Sequence, residues 1–144
     1  MHYGGVERRK HERFKVTLPV NIRLIDPKTG KLKQAEFNGL ITDISMVGLG
    51  LEMKYPGSDL LSFLPKLIGK NKEFDLNLTV KLETGDVKGK AEVRWARIPP
   101  LTGLELLTMG LFLKRMRDNA KRKWKDFVIS QSKRTAGIRE ELKE

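Results

Sequence analysis

From Phe14 to Leu24 the even positions Phe14, Val16, Leu18, Val20, Ile22 and Leu24 are all apolar, while the odd ones are mostly polar. A period of two is the mark of a half-buried strand. Asp26-Pro27-Lys28-Thr29-Gly30 has the residues of a tight turn, proline pre-setting one dihedral and glycine able to take positive φ. Ala35, Phe37 and Ile41 continue on one parity, with a bulge expected at Gly39, so a hairpin returns the chain to its start. Leu49, Leu51 and Met53 predict a third strand, stopped by Tyr55-Pro56-Gly57. Asp59 to Ile68 is apolar without alternation and contains Pro65, which predicts a loop with at most one or two helical turns. Phe74, Leu76, Leu78, Val80 and Leu82, the turn Glu83-Thr84-Gly85-Asp86, and Val87, Ala91, Val93 and Trp95 read as a second hairpin. Pro99-Pro100 ends it, and Leu107, Met109, Leu111 and Leu113 add a last strand. Six short strands with turns between them predict a mainly β protein closed as a small antiparallel barrel.

The period then changes. Leu113, Met116, Ala120, Trp124, Phe127 and Val128 fall at steps of three and four, one face of an α-helix. Asp118 or Asn119 marks its start or first turn, and Gly137 weakens any extension, so the packed helix is expected over about 115–132. The domain organisation expected is a mobile arm at 1–7, one domain at 8–132 with its barrel at about 14–113, and a charged tail at 133–144. At 144 residues the chain suits one core.

Charge adds a partner class. The net charge is +11 and the charged share 33%, above the roughly 25% of ordinary domains. From Lys114 to Glu144 there are eleven Lys/Arg against five Asp/Glu, so more than half of the excess lies at the C-terminal end. Such a field attracts nucleotides, nucleic acid, acidic proteins or anionic lipid without choosing among them. Cysteine is absent, which excludes disulfides, thiolate metal sites and cysteine nucleophiles. No run approaches the roughly 18 apolar residues of a membrane span, so no membrane insertion and a cytoplasmic location are expected. The only histidines are His2 and His11, both in or next to the arm, and no base or nucleophile for catalysis can be named. The chain is therefore not expected to be an enzyme, nor to hold a metal or a cofactor. Gly48-Leu49-Gly50 lacks the third glycine of a dinucleotide loop.

Two stretches carry candidate chemistry. Arg8-Arg9-Lys10-His11-Glu12-Arg13 leads into the first strand, and Asp43-Ile44-Ser45-Met46-Val47-Gly48 follows the first hairpin. Singly, the first reads as a solvated basic arm and the second as a turn held by Asx and hydroxyl hydrogen bonds. Together they suit an anionic guanine ligand. A guanidinium forks onto phosphate or the O6/N7 edge of guanine, and a carboxylate accepts from guanine N–H donors.

This pairing, Arg9-x-x-x-Arg13 followed by Asp43-x-Ser45-x-x-Gly48, resembles the PilZ domain family over roughly residues 8 to 130. The Val93-Arg94-Trp95 and Met109-Gly110-Leu111-Phe112 strands share the resemblance. It implies a six-stranded antiparallel PilZ-type β-barrel with a C-terminal α-helix that binds the bacterial second messenger cyclic di-GMP. Arg9 and Arg13 would hold phosphate and the guanine Hoogsteen edge, with Asp43, Ser45 and Gly48 lining the other side of the base. Arg8, just before the motif, would favour an intercalated pair of nucleotides over one. The expected function is a receptor or adaptor in which the ligand orders the arginine segment and the signal passes to an effector protein, the receptor being a monomer or homodimer.

Two rivals are carried. One is a basic β-barrel that binds nucleic acid; its aromatic residues fall mostly at core parity, which leaves no evident stacking platform. The other is a ligand-free PilZ-like interaction protein working through its C-terminal helix. The basic face of that helix is the best candidate surface for an effector, whereas Trp124 and Phe127 are expected to pack on the core.

Overall fold

The computed structural model describes residues 12–54, 57–98 and 106–143. Residues 1–7, Arg8, Arg9, His11 and the stops at Tyr55-Pro56 and Pro99-Pro100 lie outside them. Strands β1 (Phe14–Ile25), β2 (Leu32–Ile44), β3 (Gly48–Lys54), β4 (Asp75–Leu82), β5 (Gly85–Arg97) and β6 (Leu106–Arg115) form a closed antiparallel barrel in the order β1-β2-β3-β6-β5-β4. Val20↔Val80 and Leu24↔Leu76 close it between β1 and β4. The alternating residues meet inside: Ile22, Leu24, Ile41, Leu51, Leu76, Leu78, Leu107 and Met109 are almost fully buried. The mainly β barrel with a C-terminal helix matches the expectation.

Three local expectations change. The stretch expected to be a loop is helix α1, Gly57–Leu67, with Pro65 inside it. Leu60, Phe63, Leu64, Leu67 and Ile68 follow helical spacing, with Leu60 and Leu67 buried and the others packed on the core. Burying the two leucines is worth about 1.5–3 kcal/mol each, which offsets the roughly 3 kcal/mol that an interior proline costs. Gly69, at φ 84°, turns the chain beyond it, and the Lys66 carbonyl accepts from the Glu73 and Phe74 N–H groups. At the other end of the chain, helix α2 runs over Asp118–Lys143, three residues later in its start and eleven later in its end than expected. One glycine costs about 1 kcal/mol relative to alanine, too little for Gly137 to end it. Trp124 and Val128 of α2 are buried, and Ala120 and Phe127 pack beside them.

The bulge expected at Gly39 lies elsewhere. Gly39 pairs in register with Val20, whereas the β2–β3 register slips between Ile41 and Asp43, leaving Thr42 without a partner on β3. A second slip in β5–β6, between Val93↔Leu111 and Trp95↔Gly110, leaves Arg94 extra. The two slips decide which face Asp43 and Trp95 take.

Beside the barrel wall, Asp75 is the one buried carboxylate among the described residues. Lys114 Nζ lies 2.8 Å from its Oδ2 and Lys72 Nζ 3.0 Å from its Oδ1, while Lys72 also reaches Glu92 at 3.0 Å. Burial opposes ionisation of Asp75, but the hydrogen bonds and charges of Lys114 and Lys72 outweigh it and hold the carboxyl below its ordinary range. For Lys72 burial works against the charge, yet Asp75 and Glu92 together raise it above the ordinary lysine value.

Candidate functional site

The slip at Thr42 builds the site. Strict alternation from the buried Ile41 would carry Asp43 inward too; the extra residue instead sets Asp43 opposite Gly50, and Ile44 opposite the buried Leu49. A bulge of this kind re-aims a side chain. Asp43 thus reaches the outer face, 31% exposed, where its Oδ1 accepts from Arg13 Nη1 at 3.0 Å. Arg13 is itself 35% exposed, so the pair contributes little to stability, about 0–1 kcal/mol. Its value is positional: it fixes a cation beside an acceptor at a surface open to a ligand.

Register continues this row across the barrel, from Lys15 to Asp43, Gly50, Gly110 and Trp95. A Cβ at Gly50 would collide with the Asp43 carboxylate, and one at Gly110 with the Trp95 indole. The carboxylate and the indole therefore lean toward each other over two glycines. Their strands are three spacings apart around the closed barrel, about 14–15 Å measured along its wall. Alternation put Trp95 in the core; the extra Arg94 turns it out, 44% exposed, with the Arg97 guanidinium 5.8 Å from its ring. Arg94 lies over the Phe112 ring at 4.6 Å.

Behind this face, the turn after Asp43 is held from within. Ser45 Oγ accepts from the Val47 and Gly48 N–H groups at 3.3 and 3.1 Å, and the Ser45 N–H donates to the Gly48 carbonyl at 2.9 Å. Ser45 is only 4% exposed. A Cβ at Gly48 would lie 2.7 Å from the Leu111 carbonyl oxygen, so glycine lets β3 sit close to β6. The Trp124 indole, 2% exposed, donates to the Ser45 carbonyl at 3.1 Å across 79 positions of sequence. Helix α2 is thereby bonded directly to the turn.

Residues 7–130 match the PilZ domain. The chain belongs to the PilZ domain family. No curated protein matches by sequence. Similar solved structures include the inhibitor of motility MotI/DgrA of Bacillus subtilis, with TM-score 0.60 at 18% identity over 87% of this chain and 51% of that one. The complex of MrkH from K. pneumonia with c-di-GMP gives 0.59 at 21% over 89% and 55%. The PilZ domain of YcgR from Escherichia coli with c-di-GMP gives 0.53 at 13% over 92% and 98%. The chain spans about half the length of the first two and nearly all of the isolated PilZ domain. At these identities the likeness is one of fold.

Of the PilZ residues named from the sequence, the structure brings Arg13 and Asp43 together and places Ser45 and Gly48 in the supporting turn. Arg8 and Arg9 lie outside the described residues. Sequence reasoning missed Gly50, Gly110 and the outward Trp95. A signal existed for the first two, since each glycine interrupts an apolar strand where no turn follows. Trp124 was placed correctly in the core, but its bond to Ser45 had no sequence signal. Among the described residues no group of three metal-ligating side chains gathers, and no helix is long and apolar enough to cross a membrane.

Proposed function

We propose that the protein is a cyclic di-GMP receptor that signals to an effector protein. The observation that carries this reading is the Arg13–Asp43 pair on the outer barrel face, faced across Gly50 and Gly110 by the Trp95 indole. Each part suits the ligand. Arg13, with Arg9 and Arg8 from the same segment, supplies guanidinium forks for phosphodiester and the guanine Hoogsteen edge. Asp43 accepts from guanine N–H donors that adenine lacks at those positions, which selects the base. Trp95 offers a ring for stacking, and its exposure gives the site an aromatic wall that alternation alone hid.

Ser45 and Gly48 act mainly by shaping the turn, because the Ser45 hydroxyl is occupied by backbone partners. Binding clamps the arginine segment against Asp43, and strain on the turn passes to α2 through the Trp124 bond to Ser45. The support from comparison is that MrkH and YcgR have been solved with c-di-GMP on a related fold.

Calorimetric titration tests the reading. Cyclic di-GMP should bind and cyclic di-AMP should not, with Arg13→Ala weakening binding by at least about 30-fold, the loss of roughly 2 kcal/mol of charge-assisted hydrogen bonding. Unchanged affinity in Arg13→Ala would overturn it. The same titration reads stoichiometry: two nucleotides per chain support the intercalated pair assigned to Arg8, and one argues against it. Nucleic-acid binding would show instead as a steep salt dependence with no preference for the cyclic dinucleotide.

A further inference from the structure

On the opposite run of β5 and β6 from Trp95, five residues along each strand and so about 17 Å away, an open groove of about 1080 Å³ lies between the barrel and the start of α2. Lys88, Lys90, Arg115, Arg117 and Lys123 line it. None of the five makes an ion pair with a described carboxylate; the lysines of the neighbouring wall, Lys72 and Lys114, are taken up by Asp75 and Glu92 instead. Lys90 and Arg115 stand directly opposite each other in the β5–β6 ladder, where like charges destabilise a sheet. The fold thus maintains a cationic surface at some cost to itself.

We propose that this groove docks an extended acidic segment of a partner protein, with carboxylates at alternate residues. Lys88 and Lys90 share the outer face of β5 and sit two residues apart, about 6.8 Å, the repeat of side chains on one face of an extended chain. One feature sets a peptide above a nucleic acid: the lining contains no aromatic ring on which an unpaired base could stack. Asp86 in the groove wall is already paired with Lys81 at 3.1 Å. Helix α2 links the groove to the turn behind the nucleotide site: Lys123 lines the groove, and the next residue, Trp124, holds the Ser45 carbonyl. Control of docking by nucleotide rests on the receptor reading above; the docking itself does not.

The test uses the full chain and a labelled Asp-Ser repeat peptide, followed by fluorescence anisotropy. The triple variant Lys88→Glu/Arg115→Glu/Arg117→Glu should weaken peptide binding at least about tenfold, a change of roughly 1.4 kcal/mol. An equal charge change on exposed lysines elsewhere, Lys28→Glu/Lys31→Glu/Lys70→Glu, should leave it within about twofold, the range of long-range charge effects alone. Equal losses in the two variants would overturn the proposal. So would tighter binding of oligothymidylate through the same residues, or a dimer that the groove variant abolishes, which would put a second copy in the groove. Circular dichroism checks folding, with Lys88→Gln/Arg115→Gln/Arg117→Gln as the milder substitute. Cyclic di-GMP titration separates the two readings: the groove variant keeps its nucleotide affinity, and Arg13→Ala keeps its peptide affinity.

Discussion

Replacing Trp124 by benzothienylalanine keeps the two-ring shape and removes only the N–H that reaches the Ser45 carbonyl at 3.1 Å. Both residues are buried, so water cannot easily replace the lost donor. A buried acceptor left without its partner costs about 1–3 kcal/mol. For a chain of this length 1 kcal/mol moves the melting temperature by about 4 °C, so Tm should fall by about 4–12 °C in a thermal melt followed by circular dichroism. Ser45→Ala removes the hydroxyl that accepts from the Val47 and Gly48 N–H groups in the same turn. The double replacement should depart from additivity by about 0.5 kcal/mol or more, because both changes loosen one hydrogen-bonded unit. A Tm within about 1 °C of wild type, or strict additivity, would refute a tether that bears on the turn. The isostere should also weaken cyclic di-GMP binding, since the turn begins two residues after Asp43; unchanged affinity would disconnect α2 from the site.

Gly50→Ala should cost under about 1 kcal/mol of stability, since the exposed Arg13–Asp43 pair contributes little. It should nevertheless reduce cyclic di-GMP affinity by at least about tenfold in calorimetry, because the new Cβ displaces the Asp43 carboxylate. Trp95→Ala should weaken nucleotide binding by about 1–3 kcal/mol, the worth of one base–ring stack. Acid should act through Asp75. Its folded-state pKa is lowered, so its stabilising contribution is present above the unfolded carboxylate value and disappears as pH falls through the folded one. Asp75→Asn should flatten the acid limb of a stability-versus-pH profile, and an unchanged slope would contradict the ion cluster. Lys72 works in the other direction: its raised pKa gives stability present below the ordinary lysine value and lost as pH rises through the folded value.

The amino-acid sequence alone determined the six strands, their order along the chain, the terminal helix and two candidate stretches, of which Arg13 and Asp43 meet in the structure. These are local matters: a period of two or of 3.6, turn residues between runs, and a short motif of distinctive side chains. It erred where a cost was read without its compensation, at Pro65 and Gly137, because burial of Leu60 and Leu67 and the length of α2 outweigh single poor helix formers. Tertiary structure alone decided the aim of the side chains. One unpaired residue at Thr42 and another at Arg94 reverse the alternation, turning Asp43 and Trp95 from core parity to the outer face. A slip depends on how neighbouring strands pair, and no single strand encodes its partner's register. The bond from Trp124 to Ser45 is of the same kind, since the pairing of β3 with β6 brings the turn beside the strand that leads into α2, and sequence spacing does not.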